Sequence, residues 1–554
     1  MKNLTAYIFL LALLMLGACT PDPDFSDDGG DKGPEGKVTV RGVVMDGQGQ
    51  KLEGVVVSDC FKCVKTDSDG VFKLDSDLDV TQFIYVSIPS GYSVPTKNGL
   101  PIFYKRLSEE SMAEGCYFLE FILDQIQGES ERYSLMMVGD PQPRTRGKAY
   151  DKVAYHSLDC CLDLYRDMRE TGAKICKEMP CYAVVLGDIV HEDMSLFDEY
   201  IKEGTSKMGF PTFNAIGNHD HDLKAATDQE GARVFEQKFG PANYSFNLGK
   251  IHYIVVDNMI MKESENGLYG ESAGLRDDIM AWFKSDLSFV DRSTTIMICS
   301  HAPMFMYQES DRYKSSKNGG SYASLLSAYK KVHAWAGHTH GMFNYVYDDS
   351  NSLRNIEAHT VSRATGELWT NEYLSCGVPR GYVIVEVDGE EVTWKYKPTI
   401  YQTGAPYSDT PEYIRRRWTY NEEGVAVMNH DGSVLDDSYQ MNVYPKGAYG
   451  DSYVYANVFM WDQAWGTPVY VSSDGVEQKM TRVLDSKLRY DVGQREIYDF
   501  YSVHSGTFQN YGSYTWSGNF AHRLFRVFSD KKTDSGIVRV TDRFGNTYTS
   551  EVSW

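Results

Sequence analysis

The chain has 554 residues, of which 42% are hydrophobic and 13% aromatic, and its formal net charge is −22. This length is too great for a single hydrophobic core, so we expect about three folded domains. The acidic balance and the lack of any basic run argue against nucleic acid as a partner, because phosphate backbones bind clusters of Lys and Arg.

The amino terminus is typical of an exported protein. Lys2 precedes an apolar stretch over residues 6–16, which is too short for a permanent transmembrane helix and is typical of a secretory signal. The sequence Leu16-Gly17-Ala18-Cys19 resembles a bacterial lipobox, in which the cysteine is lipidated and becomes the first residue of the mature protein. We therefore predict a signal peptide over residues 1–18 and a lipid on Cys19, with an uncleaved anchor as the alternative.

This anchor would attach the protein to the cell envelope at the outer membrane, facing either the periplasm or the cell surface. Residues 19–36 are rich in Asp, Gly and Pro and nearly lack apolar side chains, so they cannot form a core. We expect them to be a flexible acidic tether.

Residues 37–127 alternate apolar and polar side chains between Gly and Asp-Gly turn signals, which predicts a small β-sandwich. This segment resembles the transthyretin-like or carboxypeptidase-regulatory fold.

Five short apolar runs follow, each bounded by polar residues and too short for a helix, at residues 133–138, 182–186, 212–216, 294–299 and 332–336. Such runs are typical of strands that are buried on both faces. A polar motif comes directly after each run. In chain order, the motifs are Asp140-Pro141-Gln142, Gly187-Asp188, Gly217-Asn218-His219-Asp220, Ser300-His301 and Gly337-His338-Thr339-His340.

The motifs together predict a metal site. Side chains at the carboxyl ends of several such strands meet at one rim of the sheet, where open α/β sheets place their sites. Carboxylate, amide and imidazole groups suit Zn, Mn or Fe, and the absence of cysteine among them argues against a closed structural zinc site.

This ordered set of motifs resembles the calcineurin-like metallophosphoesterase superfamily, whose pattern runs D-x-H, G-D-x-x, G-N-H-[DE], a lone H and G-H-x-H. The resemblance implies a hydrolase with two divalent metal ions. One ion would be surrounded by Asp140, Gln142, Asp188 and His340, and the other by Asp188, Asn218, His301 and His338. Asp188 would bridge the pair.

The resemblance also implies a mechanism, because two such ions can activate a bridging hydroxide and hold a phosphate for in-line attack. His219 would protonate the leaving oxygen, and Asp220 would fix the orientation of His219.

Gln142 departs from the family pattern, which has histidine at this position. An amide oxygen is a neutral and harder donor than imidazole, so the first site is expected to bind metal more weakly. Mn, Mg or Ca would be favoured over Zn, and the identity of the ions among Mn, Mg, Ca, Zn and Fe stays open.

Three further residues are candidates for substrate binding. Arg144 and Arg146 follow the first motif and are placed to meet an anionic group of the substrate, and His191 follows the second motif. Solvated loop side chains are an equally good interpretation of these residues.

We predict a multidomain α/β plus β chain with a central four-layer α/β/β/α metallophosphoesterase domain over residues 130–398. Two β-rich domains flank it, the sandwich described above and a carboxy-terminal domain over residues 399–554, where strand and turn signals return.

The functional hypothesis is an exported phosphoesterase that cleaves a phosphomonoester or a phosphodiester. The substrate would be a free phosphate ester or one linked to a glycan or a lipid. The alternative is a surface carbohydrate-binding or adhesive lipoprotein whose phosphoesterase core is degenerate.

Overall fold

The computed structural model describes residues 37–126, 128, 131–144, 151–305, 316–346, 353–366, 374, 376–399, 416–420, 426–430, 438–448, 450–483 and 523–554. The predicted signal peptide, Cys19, the tether and Arg146 lie outside these residues. Among the helices of the described residues, none has the length and apolar character needed to cross a membrane.

The amino-terminal region is built from two four-stranded sheets, ordered β4-β1-β10-β9 and β3-β2-β5-β8, and a short ribbon of β6 and β7. Its strands are β1 Val40–Asp46, β2 Val56–Ser58, β3 Cys63–Lys65, β4 Val71–Leu74, β5 Phe83–Val86, β6 Thr96–Lys97, β7 Leu100–Pro101, β8 Tyr104–Arg106, β9 Met112–Ala113 and β10 Cys116–Leu123. Alternate residues of β1, β4 and β10 point inward and form a separate apolar core between the sheets.

Thirteen strands form the central region. They are β11 Arg132–Val138, β12 Cys181–Leu186, β13 Thr212–Ala215, β14 Tyr244–Leu248, β15 Ile251–Val256, β16 Met259–Ser264, β17 Gly267–Ala273, β18 Thr295–Ser300, β19 Lys331–Ala336, β20 Phe343–Val346, β21 Ile356–Thr360, β22 Gly381–Asp388 and β23 Glu391–Pro398. The five apolar runs of the sequence correspond to β11, β12, β13, β18 and β19, so the prediction of buried strands is confirmed.

These strands form two large mixed sheets. The first is ordered β13-β12-β11-β22-β23, and β11, β12 and β13 are parallel in it. The second is ordered β14-β15-β18-β19-β21-β20, and β15, β18, β19 and β21 are parallel in it. Strands β16 and β17 form a separate hairpin.

Helices cover the outer faces of the two sheets. They are α1 Asp151–Ile175, α2 Leu196–Glu199, α3 Ser206–Met208, α4 Asp228–Gly231, α5 Arg233–Phe239, α6 Asp277–Leu287 and α7 Gly319–Leu326. A π-helical segment, Tyr200–Thr205, joins α2 to α3. In α6 the buried residues Ile279, Trp282, Phe283 and Leu287 recur at helical spacing, which explains why this face packs on a sheet.

The two sheets pack face to face across an aromatic layer. Tyr133 of β11 and Tyr253 of β15 meet through their hydroxyl groups at 2.9 Å, and the ring of Phe213 in β13 stacks on that of Phe246 in β14 at 3.9 Å. With helices outside both sheets, the predicted four-layer α/β/β/α architecture is confirmed.

The regular elements of the carboxy-terminal region, in its described residues, are strands. Its strands are β24 Arg416–Tyr420, β25 Ala426–His430, β26 Met441–Tyr444, β27 Tyr453–Val458, β28 Val469–Val471, β29 Glu477–Lys479, β30 Thr481–Arg482, β31 Leu524–Phe528, β32 Ser535–Thr541 and β33 Thr547–Ser553. Eight of them form two four-stranded sheets, ordered β26-β27-β31-β30 and β29-β28-β32-β33, and β24 and β25 pair as a separate ribbon. The exact boundaries between the three regions stay a prediction.

Candidate functional site

The polar motifs converge where parallel strands of the two sheets end. Asp140 follows β11 and Asp188 follows β12 in the first sheet, whereas His301 follows β18 in the second. All three side chains are buried. The rim expected from the sequence therefore forms between the two sheets and is shielded from bulk water.

The main chain is held in an unfavourable conformation at this rim. Eleven non-glycine residues in the described part of the chain have positive φ, and six of them lie here. They are Asp140 (47°), Gln142 (43°), Asp188 (52°), Glu192 (65°), His338 (66°) and His340 (57°). Such conformations are rare for residues with a Cβ atom and concentrate at functional sites, where the surrounding structure enforces them.

One group of metal-ligating atoms comes from the first sheet and the loop after β19. Single ligand atoms of Asp140, Asp188 and His340 all lie within 4.8 Å of one another, and Nε2 of His340 is 3.8 Å from Oδ1 of Asp140. The side-chain amide of Gln142 contacts the carboxylate of Asp188, and Oε1 of Gln142 is buried without a hydrogen-bond partner among the described residues. These are the four residues expected around the first ion.

A second group shares Asp188 with the first. Oδ1 of Asn218 lies 3.0 Å from Nε2 of His301 and 3.1 Å from Nδ1 of His338, and those two nitrogens are 3.2 Å apart. Nε2 of His301 is also 3.2 Å from Oδ1 of Asp188. The structure thus brings together the four residues expected around the second ion, with Asp188 between the groups.

A main-chain carbonyl group orients the ring of His301. Its Nδ1 lies 2.8 Å from the main-chain oxygen of Leu186, which can only accept a hydrogen bond. Nδ1 therefore donates to this oxygen, and Nε2 faces Asp188 and Asn218, where it could bind a metal ion once its own proton is displaced.

Glycines in the motifs make this convergence possible. A Cβ atom on Gly337 would lie 2.5 Å from Oδ2 of Asp140, and one on Gly217 would lie 2.2 Å from Oδ1 of Asp188. A Cβ on Gly187 would lie 2.6 Å from Nδ1 of His301, and Gly187 has a φ of +87°. Any other residue at these positions would push a ligand out of place.

The electrostatics of the cluster favour a bound cation. Burial raises the pKa of Asp140 to about 7, an effect that the charge of His301 opposes and the charge of Asp188 reinforces. Burial lowers the pKa of His301, but the carboxylates of Asp188 and Asp140 outweigh it and raise that pKa to about 10. Without metal, protons must neutralise these buried groups, and divalent ions can replace those protons. The buried oxygen and nitrogen donors, with the oxygen of Gln142 that has no partner in the described part of the chain, fit divalent cations.

His219 lies beside the cluster and is held by neighbours on two sides. Its main-chain amide donates to Oδ1 of Asp188 at 3.0 Å, and its Nδ1 lies 3.4 Å from Oε1 of Glu192. Its ring stacks on that of His191 at 4.0 Å. Burial lowers the pKa of His219, but the charges of Asp188 and Glu192 outweigh burial and raise it above its usual value.

The carboxylate of Asp220 is bound by main-chain amides of two loops. It accepts hydrogen bonds from the main-chain amides of Ile189 at 3.1 Å, Val190 at 3.0 Å and Gly217 at 2.9 Å. Asp220 therefore joins the loop after β12 to the loop after β13. Glu192 is an acidic residue beside Nδ1 of His219, and the role of Asp220 in orienting His219 stays a prediction.

Arg144 and His191 lie together at the edge of the site. The guanidinium of Arg144 contacts Nε2 of His191, and the main-chain amide of Arg144 donates to Oγ of Ser157 at 2.9 Å. Burial, aided by the charges of His219 and Arg144, lowers the pKa of His191 to about 3. His191 is therefore neutral at physiological pH and accepts the hydrogen bond of Arg144.

Two residues of the site were missed in the sequence. Glu192 directly follows His191, and its position four residues after Asp188 was the available signal. Arg363 is fully buried after β21; its charge opposes the rise that burial causes in the pKa of Asp140, and it adds to burial in lowering the pKa of His340. Nothing in the sequence around Arg363 distinguishes it from a structural arginine.

A second buried cluster lies away from the rim and has a different character. Nδ1 of His333 is 3.2 Å from Nε2 of His359, and Oε2 of Glu357 is 3.7 Å from Nδ1 of His333. Arg543 donates two hydrogen bonds of 2.9 Å to Glu357, and Lys331 also contacts this carboxylate. Because two cations already neutralise Glu357, we interpret this cluster as an ion-pair network that links β21 to the carboxy-terminal region.

Three family models, all of calcineurin-like phosphoesterases, match consecutive segments of the chain. The model of the amino-terminal domain of these enzymes matches residues 38–120, that of the phosphoesterase domain residues 133–342, and that of the carboxy-terminal domain residues 358–548. No curated protein matches the chain.

Solved structures with a detectable likeness include a purple acid phosphatase isolated from seeds of yellow lupin (Lupinus luteus). It has 12% sequence identity and a TM-score of 0.34, over 62% of this chain and 72% of that chain. This likeness is too low to bear on fold or activity. The three family matches, which together cover most of the sequence, show that this chain belongs to the calcineurin-like phosphoesterases, enzymes that hydrolyse phosphate esters.

Proposed function

We propose that the protein is an exported, lipid-anchored phosphoesterase that uses two divalent metal ions to cleave a phosphomonoester or a phosphodiester outside the cytoplasm. The observation that carries this proposal is the pair of ligand groups that share Asp188, with His219 beside them. The donor set is complete, which argues against a degenerate core. The number and identity of the ions and the export of the chain are parts of the proposal.

Asp140, Gln142, Asp188 and His340 would hold one ion, and Asp188, Asn218, His301 and His338 would hold the other. Bound ions of this kind supply Lewis acidity, which lowers the pKa of water and neutralises charge on a phosphate. Main-chain amides and a main-chain carbonyl orient Asp140, Asp188 and His301 for this task.

His219 would act as the general acid. The carboxylates of Asp188 and Glu192 favour its protonated form, and Glu192 holds the Nδ1 side of the ring. The proton on Nε2 is then available for the oxygen of the leaving group. The carboxylate of Glu192 would also stabilise the imidazolium between turnovers.

Arg144 would bind an anionic group of the substrate next to the reacting phosphate. Neutral His191 positions its guanidinium through the contact with Nε2 and stacks on His219. A guanidinium is suited to phosphate because its planar donors can make two parallel hydrogen bonds. This arrangement favours substrates that carry a second negative charge near the scissile bond.

The test of the catalytic proposal is hydrolysis of para-nitrophenyl phosphate and bis-para-nitrophenyl phosphate by metal-stripped protein. Mn, Mg, Ca, Zn or Fe would be added back one at a time, and bound metal would be counted by elemental analysis. Recovery of turnover at two ions per chain is expected, and the preferred ester separates a monoesterase from a diesterase. Bound ions without cleavage of either ester would contradict the proposal.

The export proposal rests on the first 36 residues and has its own test. The chain would be expressed with its native leader in a Gram-negative host, beside a variant with Cys19→Ala. The parent is expected in the detergent phase of membrane extracts and the variant in the soluble envelope fraction. Equal partition of the two would contradict lipid attachment at Cys19.

A further inference from the structure

One fully buried arginine from the carboxy-terminal region reaches the loop that carries two of the metal-ligating histidines. Arg523 directly precedes β31 and has no exposed surface. Its Nε donates to the main-chain oxygen of Met342 at 3.0 Å, and one terminal nitrogen donates to the main-chain oxygen of Cys376 at 2.8 Å. The other terminal nitrogen contacts the side-chain oxygen of Asn457 in β27.

The first of these carbonyls belongs to the ligand loop, which we define as residues 337–342. His338 and His340 lie in this loop, and Met342 comes two residues after His340. At its start, the amide of His338 donates to both carboxylate oxygens of Asp140, at 3.1 and 3.0 Å. Arg523 therefore holds the far end of a segment whose near end is held by a metal ligand.

The second carbonyl belongs to a chain segment that lies behind the ligand loop. A Cβ atom built on Gly341 would be 3.9 Å from Cβ of Cys376, so the two segments are adjacent. Asn457 also donates to the main-chain oxygen of Cys376 at 2.9 Å. Two residues of the same carboxy-terminal sheet, Asn457 and Arg523, therefore bind this carbonyl group. A planar guanidinium can hold two carbonyl groups in fixed directions at once, which a lysine cannot.

We propose that Arg523 is a positioning residue for the metal centre: by tying Met342 to Cys376, it fixes the ligand loop and with it His338 and His340. The carboxy-terminal region is then part of the metal site, although it contributes no ligand. This inference rests on the metal centre proposed above and assigns one purpose of the carboxy-terminal region.

The test uses the full chain with Arg523→Met, Arg523→Lys and, as a matched control, Arg543→Met. Arg543 also joins the carboxy-terminal region to the central one, but its partners are Glu357 and Asp462, outside the ligand loop. Three quantities would be measured: the affinity for Mn²⁺ in competition with a chelating dye, the melting temperature of metal-free protein, and kcat and KM separately.

In Arg523→Met, Mn²⁺ affinity is expected to fall by about tenfold or more, as is usual when a residue that supports metal ligands is lost. The value of kcat should fall with it, whereas KM should change little. Arg523→Lys should lie between this variant and the parent. Arg543→Met should lower the melting temperature of metal-free protein while changing Mn²⁺ affinity by less than twofold, since its contacts lie elsewhere.

Parent-like Mn²⁺ affinity in a folded Arg523→Met variant would overturn the inference. If that variant does not fold, parent-like affinity of Arg523→Lys overturns it instead. Equal losses of affinity in the Arg523→Met and Arg543→Met variants would also overturn it, because Arg523 would then serve only to dock the two regions. A parent protein that binds no metal would refute the proposed function, whatever the variants do.

Discussion

Nδ1 of His219 lies 3.4 Å from a carboxylate oxygen of Glu192, and the main-chain amide of Glu192 donates to the main-chain oxygen of His219 at 3.1 Å. The two residues are thus joined through both side chain and main chain. Glu192 adopts a φ of 65° in this arrangement. A residue held in so unfavourable a conformation is expected to have a specific task, and the contact with His219 supplies one.

Replacing Glu192 with Gln keeps the shape of the side chain and removes its charge. We expect kcat to fall about tenfold, with KM and bound metal unchanged, because the imidazolium of His219 loses its counter-charge. The decisive comparison is between the His219→Ala variant and the double variant that also carries Glu192→Gln. Adding Glu192→Gln to His219→Ala should not lower kcat further. A further loss in that background would mean that Glu192 acts independently of His219.

Replacing His219 with Ala should remove most turnover, by about 10²- to 10⁴-fold, and leave the metal content intact. The loss should be larger for an alkyl phosphate than for para-nitrophenyl phosphate, since only the poorer leaving group needs a proton. Steady-state kinetics with both esters, together with metal analysis, check this. Simultaneous loss of metal and activity would show that His219 is structural instead.

Replacing Gln142 with His restores the pattern of the wider superfamily. Imidazole is a softer donor than an amide oxygen, so the variant should bind Zn²⁺ more tightly relative to Mn²⁺ and Mg²⁺. Competition titrations of metal-stripped protein measure this ratio. An unchanged ratio would mean that Gln142 does not reach the ion.

Replacing Asp220 with Ala should destabilise the fold by about 3 kcal/mol or more, because three buried main-chain amides lose their acceptor. Asp220→Asn keeps one acceptor oxygen and should lose less. Urea unfolding of metal-free protein compares the two. A fully stable but inactive Asp220→Ala variant would favour the original expectation that Asp220 orients His219.

The buried His333 predicts acid sensitivity at a distance from the metal site. Burial lowers its pKa from 6.5 to about 4, so the unfolded chain binds more protons than the folded chain between these values. The contribution of neutral His333 to the free energy of unfolding is therefore fully present above pH 6.5. It is lost as pH falls towards 4, by up to roughly 3 kcal/mol. Between pH 7 and 5 the melting temperature should fall less steeply in a His333→Gln variant than in the parent. The same pH dependence in both proteins would show that His333 does not cause the acid sensitivity.

Much of the site could be predicted because its signals are local in the sequence. Each ligand directly follows a short apolar run, and parallel strands bring their carboxyl ends together wherever they lie in the sheet. Asp140 and His338 are almost 200 residues apart in the sequence, yet the main-chain amide of His338 donates to the carboxylate of Asp140. The order of the motifs was sufficient to place both residues at one rim.

The supporting residues could not be predicted because their roles depend on contacts between distant segments. Asp220 and Glu192 are both acidic residues near His219, and only the path of the loop after β12 decides which one faces its ring. Arg523 lies 181 residues from Met342, in a strand-rich region without motifs. Side-chain direction and tertiary contact, rather than residue type, separate these residues from ordinary structural ones.

Strand β11, which leads to Asp140, lies between β12 and β22 in the first sheet. Met136 of β11 pairs with Ile384 of β22, a partner 248 residues later in the chain. One edge of β11 therefore stays unpaired until nearly 400 residues have been synthesised, and pairing over such separations is slow. The chain is expected to gain phosphoesterase activity late in folding, so incomplete products of translation should be inactive and in need of protection from aggregation.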